Sequence, residues 1–120
     1  MAHLEQFELI RVPRPRQGVV HSFYRFYCYI RPEKLAAGWS RDRIIEEIVA
    51  LGIPAFQGSC SEIYLEKAFS KHGLQPSVPM ATSREIGRNC LQFLCHSELT
   101  DREINETCAA ITQVIPRATA

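Results

Sequence analysis

Gln57, Ser59, Cys60 and Ser61 place an amide, two hydroxyls and a thiol in one short polar stretch of a 120-residue chain. The apolar residues that follow, Ile63, Leu65, Ala68 and Phe69, predict a short helix opening at Ser59 or Ser61. Free backbone N–H groups and the helix dipole at such a start favour a phosphate or carboxylate. Ordinary capping by the same serines is the alternative, and it accounts for them equally well. Cys60 at a helix start would have a lowered thiol pKa and could serve as a nucleophile, with His21 or His96 as its base. No cysteine-hydrolase signature surrounds it. His96 also reads as a loop or capping residue, and His21 as a hydrogen-bonding group across an interface. The lysines are Lys34, Lys67 and Lys71, and none is flanked by a recognisable motif. Cys28, Cys60, Cys90, Cys95 and Cys108 are odd in number and include no C-x-x-C pair, so neither a disulfide framework nor a metal site is expected. Cys28 and Cys108 fall on apolar faces, where free cysteine behaves as a small hydrophobe.

Composition narrows the field. Fourteen basic against thirteen acidic side chains leave a formal charge of +1, so no global field argues for nucleic acid or an anionic membrane. No apolar run approaches the roughly 20 residues of a membrane helix. The first residues, Met-Ala-His-Leu-Glu-Gln-Phe-Glu, lack a basic region followed by an apolar one, which predicts a cytoplasmic protein.

The elements that must position these side chains are readable in outline. Residues 1–18 form a lead-in: Leu4, Phe7 and Ile10 have weak helical spacing, and Arg11 to Gly18 is a Pro/Arg-rich linker. Residues 19–120 form the domain proper. From Val19 to Ile30 the chain reads as a strand, with Tyr24, Phe26, Cys28 and Ile30 on one face and Phe23, Arg25, Tyr27 and Tyr29 on the other. The second face, with an arginine among aromatics, suits contact with a partner. A single-stranded nucleic-acid platform would need a basic groove as well. Ser40 predicts the cap of a helix whose stripe is Ile44, Ile45, Ile48, Val49 and Leu51, stopped by Gly52. Ile53 to Gln57 is a short strand. Thr82-Ser83-Arg84-Glu85 has capping-box form and predicts a helix to about Asn89, followed by a strand through Leu91, Phe93 and Cys95. Thr100-Asp101-Arg102-Glu103 repeats the box and opens a last helix carrying Ile104, Cys108, Ile111 and Ile115, expected to close at Pro116. This order predicts an α+β, two-layer domain: a short, mostly antiparallel sheet with helices packed on one face.

Four landmarks stand in order: His21-Ser22-Phe23-Tyr24-Arg25-Phe26-Tyr27, then Ser40-Arg41-Asp42 leading to Gly52-Ile53-Pro54, then Glu62-Ile63-Tyr64 through Ala68-Phe69, then Leu99-Thr100-Asp101. From Val12 to Ile115 the chain resembles the C-terminal small domain of the DegT/StrS family of pyridoxal-phosphate-dependent sugar aminotransferases. The resemblance implies the small domain of an aspartate-aminotransferase-like fold. It also implies transfer of an amino group, typically from glutamate, to a keto group on a nucleotide-linked sugar.

In that family the Schiff-base lysine and the phosphate cradle lie in the large domain, so the resemblance implies no catalytic residue here and no stable binding of pyridoxal phosphate by this chain alone. The expected partner is the large cofactor-binding domain, or a second copy through self-association. The interface set is Phe23, Arg25, Tyr27 and Tyr29; the substrate-contacting set is Gln57, Ser59, Cys60, Ser61, His21 and Tyr24. The family's His-Tyr pair is replaced by Gln57-Gly58-Ser59-Cys60, which points to a different acceptor. The competing expectation is a stand-alone binding module that uses the aromatic sheet face.

Overall fold

The computed structural model describes residues 1–58 and 60–120. Along the chain run α1 (Ala2–Glu5), β1 (Ile10–Arg11), β2 (Phe26–Ile30), a 3-10 turn (Pro32–Lys34), α2 (Arg41–Ala50) and β3 (Ala55–Gln57). A second 3-10 turn (Ile63–Leu65), α3 (Lys67–Ser70), α4 (Ala81–Asn89), β4 (Cys90–Phe93) and α5 (Asp101–Ala118) complete it. The strands form one antiparallel sheet in the order β1-β2-β4-β3.

α2 forms where its sequence says it should. Ser40 accepts a hydrogen bond from the Arg43 N–H, and Ile44 and Ile48 are fully buried one turn apart. At the far end Gly52 has φ +82°, with Gly52 N–H donating to Val49 and Ile53 N–H to Ile48. That is a Schellman closure, which needs a residue content in the left-handed region. α5 opens on a complete capping box: Thr100 and Glu103 each accept from the other's backbone N–H. Its Ile111, Val114 and Ile115 meet Ile44 and Ile48 of α2 over Leu9, Cys28, Leu91 and Phe93. This is the core, and it lies on one side of the sheet.

Register fixes the other side. Tyr29 stands opposite Arg11 and Cys90, and Tyr27 opposite Gln92, which stands opposite Phe56. Directly opposed residues share a face, so Arg11, Tyr27, Tyr29, Phe56, Cys90 and Gln92 all point away from α2 and α5.

Several sequence expectations are corrected. The strand expected from Val19 begins only at Phe26, because Phe23 has φ +46° and β4, beside β2, ends at Phe93 opposite Phe26. Without a neighbouring ladder, residues 19–25 have nothing to pair with. Phe23 therefore leaves the strand face assigned to it and stacks near His21 and Phe26, with ring centroids 4.3 and 5.9 Å away. The helix expected to run from Ser59 or Ser61 to Phe69 is instead a 3-10 turn and one turn of α3, split at Glu66, whose ψ of 145° is extended. α4 starts at Ala81 with no side-chain cap, so Thr82 lies inside it and not at its cap. α5 runs two residues past Pro116, since a proline in the last turn removes only one helical donor. Ile104, expected on the buried stripe of α5, is exposed. The lead-in supplies Leu4, Leu9 and Ile10 to the core and β1 to the sheet.

Candidate functional site

Strand register sets the described substrate-contacting residues at different levels of the sheet. Gln57 lies level with Leu91 and Cys28, and the chain beyond it runs toward α4. Tyr24 and His21 precede Phe26, and Tyr24 lies near Leu94, Cys95 and His96. Among the described residues of the set, Gln57 and Tyr24 thus stand at different levels of the sheet. Gln57 is exposed and its carbonyl accepts from Gln92 Nε2 at 2.5 Å. Ser61 packs against α4 at Gly87, where a Cβ would collide with its hydroxyl. Because no helix opens at Ser61, the anion site expected from a helix dipole is not formed by it; Ser59 lies outside the described residues. His21 is exposed and its Nδ1 accepts from the Phe23 N–H at 2.9 Å, which holds the turn into β2.

Cys60 is exposed, but its surroundings oppose a thiolate. Desolvation, a hydrogen bond from Sγ to Glu66 Oε1 at 3.5 Å and the Glu66 charge all push its pKa up. The lowered pKa expected from a helix start is thus reversed. The hydrogen-bond partner of Cys60 is this acid, and neither His21 nor His96 takes that place.

What sequence reasoning missed is a lock on the 62–84 excursion. The Tyr64 hydroxyl donates to Glu62 Oε1 at 2.6 Å and accepts from the Met80 N–H at 3.2 Å, while Arg84 Nε reaches the same carboxylate oxygen at 3.4 Å. The bonded hydroxyl lowers the Glu62 pKa, and the same carboxylate raises that of Tyr64. Only the approach of residues 62 and 84 in space reveals this cluster; the sequence shows a lone tyrosine.

Three surfaces remain for recognition. The sheet face away from the core carries Arg11 stacked on Tyr29, 4.4 Å from its centroid, and Arg25 lying 5.3 Å from the Phe56 ring and 5.8 Å from that of Tyr24. Tyr27 and Tyr29 are half-buried and Tyr24 is 83% exposed. A second surface is a groove of about 550 Å³ between the first turns of α5 and the end of the sheet, lined by Phe26, Ile53, Pro54, Phe93, His96 and Leu99 among others. The third is a cleft of about 240 Å³ that Tyr24 and Arg25 share with Leu94, Cys95 and His96.

The lysines do not fit a covalent cofactor site. Lys34 is paired with Glu8 at 3.0 Å on the surface, and Lys67 and Lys71 are exposed at the two ends of α3. None lines the groove. Among the described residues no cluster has metal-ligand character, and no helix is long and apolar enough to cross a membrane.

Neither a family model nor a curated protein matches the chain. Solved structures do. An aminotransferase from Psychrobacter cryohalolentis superposes with a TM-score of 0.88 at 41% identity, over 98% of this chain and 31% of that one. The aminotransferase TlmJ from Streptoalloteichus hindustanus gives 0.77 at 14% identity, over 97% of this chain and 29% of its own. A DegT DnrJ EryC1 StrS aminotransferase from Brucella abortus gives 0.74 at 17%, over 95% and 28% respectively. The last two share the fold alone. The chain thus spans about a third of the length of the aminotransferases it is similar to.

Proposed function

We propose that the chain serves as the C-terminal small domain of a DegT/StrS-type, pyridoxal-phosphate-dependent enzyme aminating the keto group of a nucleotide-linked sugar, a reading supported by its likeness to solved aminotransferases. The observation that carries the proposal is the match of 98% of the chain, at 41% identity, to 31% of one aminotransferase. Its work is to complete a substrate pocket against a larger cofactor-holding domain. The exposed lysines argue that the cofactor is held elsewhere in such an enzyme, so no step of its chemistry is assigned to residues here, and the chain alone is inactive. Gln57, Ser59, Cys60, Ser61, His21 and Tyr24 are the positions offered to substrate. The working enzyme on this reading is a cytoplasmic dimer.

A chimera tests it. The matched 31% of the Psychrobacter cryohalolentis aminotransferase is replaced by this chain. The purified chimera is expected to carry bound pyridoxal phosphate and to aminate a nucleotide-linked keto sugar with glutamate. A folded chimera without cofactor or turnover overturns the reading, and one that accepts only simple keto acids overturns the substrate class. With the chain alone, borohydride reduction in the presence of pyridoxal phosphate should give only scattered, substoichiometric labelling. A stoichiometric adduct at one lysine would place the cofactor here.

A further inference from the structure

Arg41 is the first residue of α2, a place where a cation works against the helix dipole. Its side chain is nonetheless only 10% exposed, because it leaves its own helix to serve another. Nη1 donates to the carbonyls of Gly87, at 3.1 Å, and Cys90, at 2.6 Å, while Nε is aimed by Asp42 Oδ1 at 2.7 Å. Gly87 lies in the last turn of α4 and Cys90 is the residue that ends it. Carbonyls at such an end have no helical donor left, and the Arg41 guanidinium supplies one.

The same two residues carry the loop after β3. A Cβ at Gly58 would lie 2.6 Å from the Cys90 sulfur, and one at Gly87 would collide with the Ser61 hydroxyl. Residue 58 is thus seated on Cys90 and residue 61 on Gly87, so both ends of the loop rest on the pair that one guanidinium ties to α2. That helix is anchored in its turn by Ile44 and Ile48, which are fully buried. Gln57 is held beside them by the bond from Gln92 to its carbonyl. We propose that Arg41 is a positioning residue for the sugar-nucleotide acceptor, holding the junction of α4 and β4 so that Gln57, Cys60 and Ser61 keep one arrangement. This rests on the reading above, in which those three residues are offered to substrate. Arg41 acts only through them. A loop already held in place avoids the ordering cost of binding, so its release weakens acceptor affinity and leaves the chemical step alone.

Arg41→Gln, Arg41→Lys and, for comparison on the same helix, Arg43→Gln are made in the chain and labelled with N-ethylmaleimide under native conditions. Mass spectrometry of the peptides gives separate rates for Cys90 and Cys28. Burial raises the Cys90 pKa and the Arg41 charge works against that. Losing the charge would by itself slow this thiol, so faster labelling reports a lifted loop. Cys28, in the core, reports global opening. Cys90 should label about fivefold faster in Arg41→Gln with Cys28 unchanged, Arg41→Lys falling between and Arg43→Gln matching the parent. Should Arg41→Gln fail to fold by circular dichroism, Asp42→Asn, which removes only the group that aims the guanidinium, should give about a twofold rise. In the chimera, Arg41→Gln should raise KM for the keto sugar about fivefold while kcat and the KM for glutamate stay within about twofold, and Arg41→Lys should recover part of the loss. Unchanged Cys90 labelling, equal acceleration of Cys90 and Cys28, or a fall in kcat with KM unchanged overturns the assignment and leaves the aminotransferase reading standing. A folded, unsubstituted chimera without turnover overturns that reading and, with it, the substrate side of the assignment.

Discussion

Gly58 sits directly against Cys90: a Cβ at position 58 would lie 2.6 Å from the Cys90 sulfur and 2.8 Å from its Cβ. Cys90 is the first residue of β4 and is only 3% exposed, so it has little room to retreat. The loop after β3 is thereby pinned to the sheet by the absence of a side chain.

Gly58→Ala should destabilise the domain by about 1–3 kcal/mol, as overpacking of a filled site does. Cys90→Ala in the same chain removes the sulfur contact and leaves the Cβ contact, so it should restore part of the loss. Urea unfolding followed by the fluorescence of Trp39, the chain's single tryptophan, measures both. Unchanged midpoints in Gly58→Ala would mean that the loop is not seated on β4.

Removing the Tyr64 hydroxyl should loosen residues 62–84 with little effect on the rest of the domain. Tyr64→Phe leaves Glu62 and the Met80 N–H without their shared partner, a loss of about 1–2 kcal/mol for bonds of this kind. Hydrogen exchange should quicken in α3 and α4 and stay unchanged in α2 and α5. Equal acceleration everywhere would show that the lock is part of the global core.

The thiols should separate by reactivity. Cys28 is fully buried, and desolvation, with a smaller contribution from the Cys90 charge, pushes its pKa to about 12, so a disulfide reagent should reach it only on unfolding. Cys60 is exposed but raised by desolvation and Glu66, and should react at neutral pH more slowly than a free cysteine. Glu66→Gln should quicken it. A Cys60 faster than free cysteine would reinstate the nucleophile reading.

The start of α5 should be acid-sensitive. Bonds from the Thr100 side chain and backbone lower the Glu103 pKa below its ordinary 4.5. A carboxylate stabilised in the fold contributes fully above its unfolded pKa, and that contribution is lost as pH falls through the lower folded value. Urea midpoints should therefore drop on going below pH 4.5, less steeply in Glu103→Gln. Thr100→Ala should cost about 1 kcal/mol at pH 7. An identical pH profile in Glu103→Gln would remove the capping box as the cause.

Legibility followed the range of the interactions. α2 and the start of α5 were readable because Ser40, Gly52, Thr100 and Glu103 act on backbone groups within a turn of themselves. The helix-then-strand order of α4 and β4 was readable as well, although its cap was not. The early end of β2 was hidden, since residues 19–25 have strand composition and fail only for want of a neighbour. The short breaks at 63–70 depend on Tyr64 being drawn to Met80, sixteen residues away. The relative placing of the site residues is hidden in the sequence, since only register shows Gln57 level with Cys28 while Tyr24 precedes Phe26.

The two residues of β1 have a consequence out of proportion to their length. Ile10 and Arg11 cover the outer edge of β2, and the Arg31 N–H closes the same seam on the Leu9 carbonyl. Were the chain cut before Phe26, Tyr-Cys-Tyr-Ile would become a bare edge rich in β-formers, a ready template for amyloid-like stacking. The lead-in thus acts as a sheath, and its proline- and arginine-rich sequel, unable to continue the ladder, keeps further strands from growing there.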